Sequence, residues 1–177
     1  SEEIISSLFG YGSFDELSVK NSAKALFYFA IGLPAFAIIK VFSSFFFARG
    51  NTKTPFYISL TSVLLNIFIS IIFFKEIGFI IIPIATTISS WFNAILLFIF
   101  LKIKNLFNFN SVFIIRFIKI LISSVLMGIF FNYLVYFFND KFIYQESLKG
   151  IYLVGVVILG LMFYLLIAIL IKAFKRS

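Results

Sequence analysis

From Ala23 to Ala48 the chain runs 26 residues with charges only at Lys24, near its start, and at Lys40. As a helix this stretch is about 39 Å long at ~1.5 Å per residue, more than the ~30 Å hydrocarbon core of a bilayer. In lipid the backbone N–H and C=O groups have to be satisfied within the segment, so a helical membrane span is the fold this run dictates. A tight basic turn follows, Ala48-Arg49-Gly50-Asn51-Thr52-Lys53-Thr54-Pro55. Gly50 and Asn51 are residue types that tolerate the left-handed geometry ending a helix. Thr54 offers an N-cap oxygen, and Pro55 suits a first helical position, where its missing N–H costs nothing. A second span is therefore expected to start at once.

Composition extends this to the whole chain. With 62% hydrophobic and 12% charged residues, it lies far outside the range of soluble domains and reads as an all-α integral membrane protein. Five complete spans are expected: Ala23 to Ala48, Pro55 to Phe74, Phe79 to Leu101, Val112 to Phe138 and Gly150 to Ile171. Ile4 to Phe9 is too short to cross and reads as the end of a preceding transmembrane helix, broken at Gly10 and Gly12. Phe14 to Ser22 reads as a polar connection. The expected organisation is thus 1–22, helix end and outer loop; 23–101, three spans; 102–111, a cytoplasmic loop; and 112–177, a final hairpin and tail. The chain opens on a serine, and Glu2-Glu3 has the wrong sign for the flank of a signal peptide, so it reads as the back part of a longer protein.

There is no cysteine and no histidine, which excludes disulfides, thiolate chemistry and the usual zinc sites. No metal, cofactor or catalytic residue is expected. The net charge of +8 sits at helix ends rather than along one amphipathic face, so it points to membrane topology and not to nucleic acid. Arg49, Lys53, Lys102, Lys104, Arg116, Lys119, Lys172, Lys175 and Arg176 fall on one side of the expected spans. Lys20, Lys24, Lys75, Lys141 and Lys149 fall on the other, with all seven acids. The more basic side, including the C-terminus, is expected to be cytoplasmic.

Within the spans, polar residues recur at helical spacing. Ser59, Ser62, Asn66 and Ser70 share one face of the second span, and Pro83, Thr86, Ser90 and Asn93 one face of the third. Two readings stay open. Small hydroxyl residues let helices approach and hydrogen-bond, for ~0.6 kcal/mol each on average; alternatively, two facing stripes ending in asparagine line a cavity. In the last two spans the row Ser124, Gly128, Asn132 and the glycines Gly155 and Gly160 suit either close packing or an apolar groove.

Several runs carry a resemblance. Leu8-Phe9-Gly10-Tyr11-Gly12-Ser13-Phe14, Gly32-Leu33-Pro34-Ala35-Phe36, Ile39-Lys40-Val41, Ala48 to Pro55, and Ala85-Thr86-Thr87-Ile88-Ser89-Ser90-Trp91-Phe92-Asn93 stand in the order and spacing of the carboxy-terminal part of the MurJ/MviN family, the bacterial lipid II flippases. The resemblance covers residues 4–101 and extends to the last two helices by pattern. It implies the carboxy-terminal part of a 14-helix transporter of the MOP exporter superfamily in the bacterial inner membrane, serving peptidoglycan and cell-wall biogenesis and so cell shape. It also implies alternating access, a polyprenyl-pyrophosphate-linked substrate (lipid II) taken from membrane lipid, a lipid-tail groove beside the last two helices, and the missing N-terminal part of the same protein as partner. The cavity arginines of the family belong to earlier helices, so its principal headgroup site has no counterpart here.

Lys40 is the charge set deepest inside an expected span. Such residues cost roughly 2.5–3.5 kcal/mol on insertion scales and are functional candidates by default. It lies about 12 Å of rise from the end of its helix, within reach of snorkelling. Helical side chains tilt toward their own N-terminus, though, and that directs Lys40 away from the nearer interface. Ser43 and Ser44 put hydroxyls on the same flank, and Gly32 and Pro34 loosen the helix upstream. A cavity-facing ammonium, a structural partner such as Asn66, and snorkelling remain as readings. The candidate substrate-binding residues are Lys40, Ser43, Ser44, Asn66 and Asn93.

A transporter is therefore the leading expectation. Another exporter of the same superfamily, for polysaccharide-lipid intermediates or drugs, is the near alternative, against which the Ala48 to Pro55 run argues. A membrane enzyme acting on polyprenyl lipids would need acids or metal ligands at the inner face, where none fall. A passive scaffold would have no need of Lys40.

Overall fold

The computed structural model describes residues 1–10, 14–104, 111–138 and 149–173, and no strand occurs among them. Its helices are α1 (Glu2–Phe9), α2 (Glu16–Phe47), α3 (Lys53–Ile77), α4 (Ile81–Ile103), α5 (Ser111–Phe137) and α6 (Lys149–Leu170). Gly12, most of the 102–111 loop, Lys141, Asp140, Glu146, Lys175 and Arg176 lie outside the described residues. Four helical stretches are long and apolar enough to cross a membrane: Glu16–Phe47, Lys53–Ile103, Ser111–Phe137 and Lys149–Leu170. The second contains both α3 and α4, and these lie antiparallel. Asn66 meets Thr86 and Ser89, while Ser59, two turns back on α3, meets Asn93, two turns on along α4.

The helix ends follow from local chemistry. At the end of α2, Asn51 N–H donates to the Phe46 carbonyl at 3.0 Å and Gly50 N–H to the Phe47 carbonyl at 2.9 Å, with Gly50 at φ 68°. This is the Schellman arrangement, and it needs a residue that accepts positive φ at Gly50. Two expectations are corrected at helix starts. Thr54 is not the N-cap of α3, which begins at Lys53; the Asn51 side chain instead accepts the Thr54 N–H at 3.1 Å and donates to the Thr54 hydroxyl at 3.0 Å. Nor is Phe14 to Ser22 a connection throughout. Asp15 Oδ1 accepts the Ser18 N–H at 2.8 Å, a side-chain cap, and α2 begins at Glu16, about two turns before the expected Ala23. Between α3 and α4 the chain turns at Gly78, φ 71° and ψ −153°, a region essentially closed to residues bearing a Cβ.

The described chain divides into two compact units, Lys20–Asn108 (with Ser1) and Glu2–Val19 with Phe109–Ser177. In the first, Phe46 of α2 packs with Ile58 of α3 and with Leu97 and Leu101 of α4. In the second, Leu134 of α5 packs with Leu153 and Val156 of α6, joined by Ile4 of α1, and Phe130 stacks on Phe163 at 4.3 Å between ring centroids. The row Ser124, Gly128, Asn132 is exposed, so α5 does not meet α6 through it; Gly160 of α6 instead lies against Phe131 and Met127. Lys149, counted in the sequence as a loop charge, is fully buried. It donates to the Gly10 carbonyl at 2.8 Å, closing the C-terminal end of α1, whose last carbonyls have no intrahelical partner. A side chain at Gly10 would meet the Ser6 carbonyl at 2.7 Å, which is why the chain carries glycine there.

Burial is inverted relative to a soluble protein. Ile71, Tyr136, Ile151 and Leu170 are among many large apolar residues on the outside, whereas Ser62, Thr87, Ser89, Ser90, Asn93 and Ser123 are buried. Of the 27 residues of α5 only Ser123 and Leu134 are buried. An apolar exterior with small and hydroxyl residues between helices is the pattern of helices whose solvent is lipid.

Candidate functional site

The site lies inside the unit of α2, α3 and α4 and is made by the way α2 crosses the α3–α4 pair. Pro34 removes one backbone donor from the middle of α2, and its ring clashes with the preceding turn. At this weak point α4 holds the helix. Thr87 Oγ1 donates to the Tyr28 carbonyl at 2.7 Å, and Trp91 Nε1 to the Ile31 carbonyl at 3.1 Å. Gly32 permits the approach, because a Cβ there would sit 3.1 Å from Thr87 Oγ1. The second point of hold is Phe46, about four turns beyond Gly32. Between the two holds a cavity of about 380 Å³ opens, lined by the apolar side chains of Phe36, Ile39 and Val63 and by the polar side chains of Ser59, Ser62, Asn66, Thr86, Ser89, Ser90 and Asn93.

Four of the cavity's hydroxyls turn their hydrogens back into their own helices. Ser62 donates to the Ile58 carbonyl at 2.8 Å, Thr86 to Ile82 at 2.8 Å, Ser89 to Thr86 at 3.0 Å and Ser90 to Thr86 at 2.6 Å. Asn66 Nδ2 donates to Thr86 Oγ1 at 3.1 Å and Ser89 Oγ at 3.3 Å. Asn93 Nδ2 reaches Ser59 Oγ at 3.4 Å, while Asn93 Oδ1 is buried with no hydrogen-bond partner. The polar wall thus offers the lone pairs of these four hydroxyls together with the Asn93 amide.

The two polar stripes read from the sequence do face one another, Ser70 and Pro83 excepted. Asn66 and Asn93 are brought together; Lys40, Ser43 and Ser44 are not among the lining residues. Lys40 is exposed. It follows Ile39 by one residue, about 100° round the helix, and so stands on the flank of the stripe that Phe36 and Ile39 present. Ser44 Oγ is occupied by the Lys40 carbonyl at 2.9 Å, a bond within its own helix. Sequence reasoning missed Ser89, although its three- and four-residue spacing from Thr86 and Asn93 was there to be read. The Gly32–Thr87 approach, between residues 55 apart in the chain, left no local signal.

Spans bounded by caps and glycine turns, an apolar exterior and hydroxyl residues between the helices define a multi-pass helical membrane protein. The family model described as lipid II flippase MurJ matches residues 1–153. The chain belongs to the MurJ family. Similar curated proteins, each named probable lipid II flippase MurJ, include one from Rickettsia prowazekii (strain Madrid E), 29% identical over 97% of this chain and 34% of its own length. Another, from Thermotoga maritima, is 36% identical over 72% of this chain and 25% of its own length. A third, from Buchnera aphidicola subsp. Schizaphis graminum, is 30% identical over 91% and 34%. The chain therefore spans about a quarter to a third of the length of the curated relatives it matches.

Proposed function

We propose that this chain forms the carboxy-terminal helices of a lipid II flippase of the bacterial cytoplasmic membrane. It acts there with the remaining helices to carry the polyprenyl-pyrophosphate-linked precursor from the inner to the outer leaflet by alternating access, as a transporter and not an enzyme. The observation that carries this reading is the family match across residues 1–153, together with four helical stretches long and apolar enough to cross a membrane. Alternating access needs two bundles moving about a shared site, so the chain's own share is one wall of the path: the α2–α4 cavity with Asn66 and Asn93. In this reading Lys40, with Ser43 and Ser44, faces the path from the flank of that cavity, where an ammonium acts as a point charge toward pyrophosphate. The C-terminus and the Arg49 to Lys53 turn are cytoplasmic, by the excess of basic residues on that side.

The test is a chimera in which this chain replaces the matching segment of the Thermotoga maritima relative. Expressed in cells depleted of their own flippase, it should restore growth and lipid II translocation. The same chimera with Lys40→Ala should insert normally and translocate more slowly, with partial recovery in Lys40→Arg. A chimera that inserts at normal levels yet translocates nothing would refute the reading; full activity of Lys40→Ala would remove Lys40 from it.

A further inference from the structure

We propose that α2 is hinged between Gly32 and Pro34. Its outer half, residues 16–31, swings away from α4 when Thr87 and Trp91 let go of the backbone carbonyls they hold, while its inner half stays seated on α3 and α4. This rests on the reading of the chain as part of a transporter with two states, and it names the place where these helices bend. Three observations carry it.

The first is the weakness of α2 at one place. Pro34 lies inside the helix, so the Ala30 carbonyl lacks the N–H that would close its turn. Sharp bends in long helices fall at such positions, and Gly32, two residues earlier, has no side chain to stiffen the turn. The second is the nature of the clasp. Thr87 Oγ1 donates to the Tyr28 carbonyl at 2.7 Å and Trp91 Nε1 to the Ile31 carbonyl at 3.1 Å, so both acceptors lie on the outer side of Pro34. The hydroxyls of Thr61, Ser62, Thr86, Ser89, Ser90 and Ser123 return their hydrogens to carbonyls three or four residues back in their own helices. Thr87 sends its hydrogen across to α2 instead. The same return is open to it at the Pro83 carbonyl, four residues back, so letting go of Tyr28 strands no buried donor. Trp91 is 36% exposed, and release does not trap its N–H either. A bond that exchanges for another of its own kind leaves two arrangements close in energy, which is what a switching element needs. The third is the asymmetry of the two halves. Beyond the hinge, Phe46 is buried with Ile58, Leu97 and Leu101 and joined by Ile39, Phe42 and Phe45, while Phe42 stacks on Phe98 at 5.9 Å between ring centroids. Before it, residues 16–31 bury only Val19 and Ala23 and expose Leu17, Phe27, Phe29 and Ile31. Apolar surface that already faces lipid loses nothing by moving through it. A bend of about 20° over the ~21 Å from Pro34 to Lys20 carries that end about 7 Å from α4.

The experiment uses the purified 177-residue chain in lipid nanodiscs. It has no cysteine, so a pair of introduced, nitroxide-labelled cysteines reports one distance by double electron–electron resonance. One pair replaces Lys20 and Ile82, at the outer ends of α2 and α4; the other replaces Phe47 and Ile103, at their inner ends, and all four positions are exposed. Gly32→Leu acts as a wedge, because even a Cβ at this position stands 3.1 Å from Thr87 Oγ1. It should lengthen the outer distance by about 7 Å and leave the inner distance unchanged. Adding Pro34→Ala restores the missing helical bond and should pass the displacement on to the inner pair, as in a rigid rod. Trp91→Phe removes a bond that has no substitute within α4 and should raise the ratio of long to short outer distances about threefold, the loss of one average interhelical hydrogen bond. Thr87→Val should raise it less, although its bond is the shorter, because valine gives up the Pro83 alternative together with the clasp. A static clasp predicts the reverse order. Circular dichroism checks that the helices are retained, and if Gly32→Leu does not fold, Trp91→Phe and Thr87→Val decide. The hinge is overturned if the wedge shifts the inner distance along with the outer one while Pro34 is present, if the outer distance stays single and short in Trp91→Phe, or if Thr87→Val opens the pair more than Trp91→Phe. Distances are read in this chain and translocation in the chimera. A rigid α2 beside a working chimera therefore refutes the hinge alone, and a hinged α2 beside a chimera that translocates nothing refutes only the transport reading.

Discussion

The hold of α4 on α2 can be tested by a double-mutant cycle at Gly32 and Thr87. Gly32→Ala places a Cβ 3.1 Å from Thr87 Oγ1, and that oxygen cannot easily yield because it is fixed to the Tyr28 carbonyl at 2.7 Å. Overpacking of this kind costs about 1–3 kcal/mol. Against it stands the gain of replacing glycine by alanine inside a helix, up to ~1 kcal/mol. The single mutant should therefore come out destabilised by roughly 0–2 kcal/mol. Thr87→Ala removes an interhelical hydrogen bond, about 0.6 kcal/mol on average and at most ~1.7. In that background the obstacle is gone. The nearest remaining atoms to the new methyl are Phe36 Cε2 at 3.5 Å and Thr87 Cα at 3.6 Å, ordinary contacts, so Gly32→Ala should now stabilise by up to ~1 kcal/mol. The cycle should thus show a coupling of about 1–3 kcal/mol. Equilibrium unfolding by SDS in mixed micelles, followed by Trp91 fluorescence, measures all four corners. If Gly32→Ala has the same effect in both backgrounds within ~0.5 kcal/mol, close approach is not what the glycine provides and the account of the crossing fails.

Two further outcomes are expected. The chain has no cysteine, so a single cysteine replacing Asn51 should react with a membrane-impermeant maleimide only after the inner face is opened, and one replacing Ser18 should react in intact cells; outside labelling at position 51 would reverse the topology. Asp15, whose carboxyl accepts from the Ser18 hydroxyl and backbone N–H, is held below the usual carboxylate range. Its folded-state value being depressed, the helix start it stabilises is intact above its unfolded pKa of about 3.9 and weakens as pH falls through the lower folded value. The carboxyl carbon, followed by NMR, should titrate below that value, and Asp15→Asn should keep the cap while removing the pH dependence; titration at or above the unfolded value would refute the cap.

How much was legible in the chain divides along the range of the interactions. Membrane spans are determined by sequence alone, because a bilayer imposes a length and an apolarity that any ~20 consecutive residues meet or fail by themselves. The turn at Gly50 is equally local, since positive φ and the Schellman bonds involve only residues 46–51. The facing stripes of α3 and α4 were readable too, because 3.6-residue periodicity puts Ser59, Ser62 and Asn66 on one side whatever lies opposite. Local competition between side chains already blurs such reading: Asn51 and not Thr54 caps α3, and Asp15 starts α2 two turns early. What only the tertiary structure decided is which faces enclose space. Lys40 stands outside the cavity and Ser89 inside it because the crossing of α2 is fixed by Gly32 against Thr87, 55 residues away, and by Phe46 against Leu97 and Leu101. Lys149 is buried for the same reason, as its partner at Gly10 lies 139 residues upstream. A helix's rotation about its own axis is set by such distant contacts, and no local propensity records them.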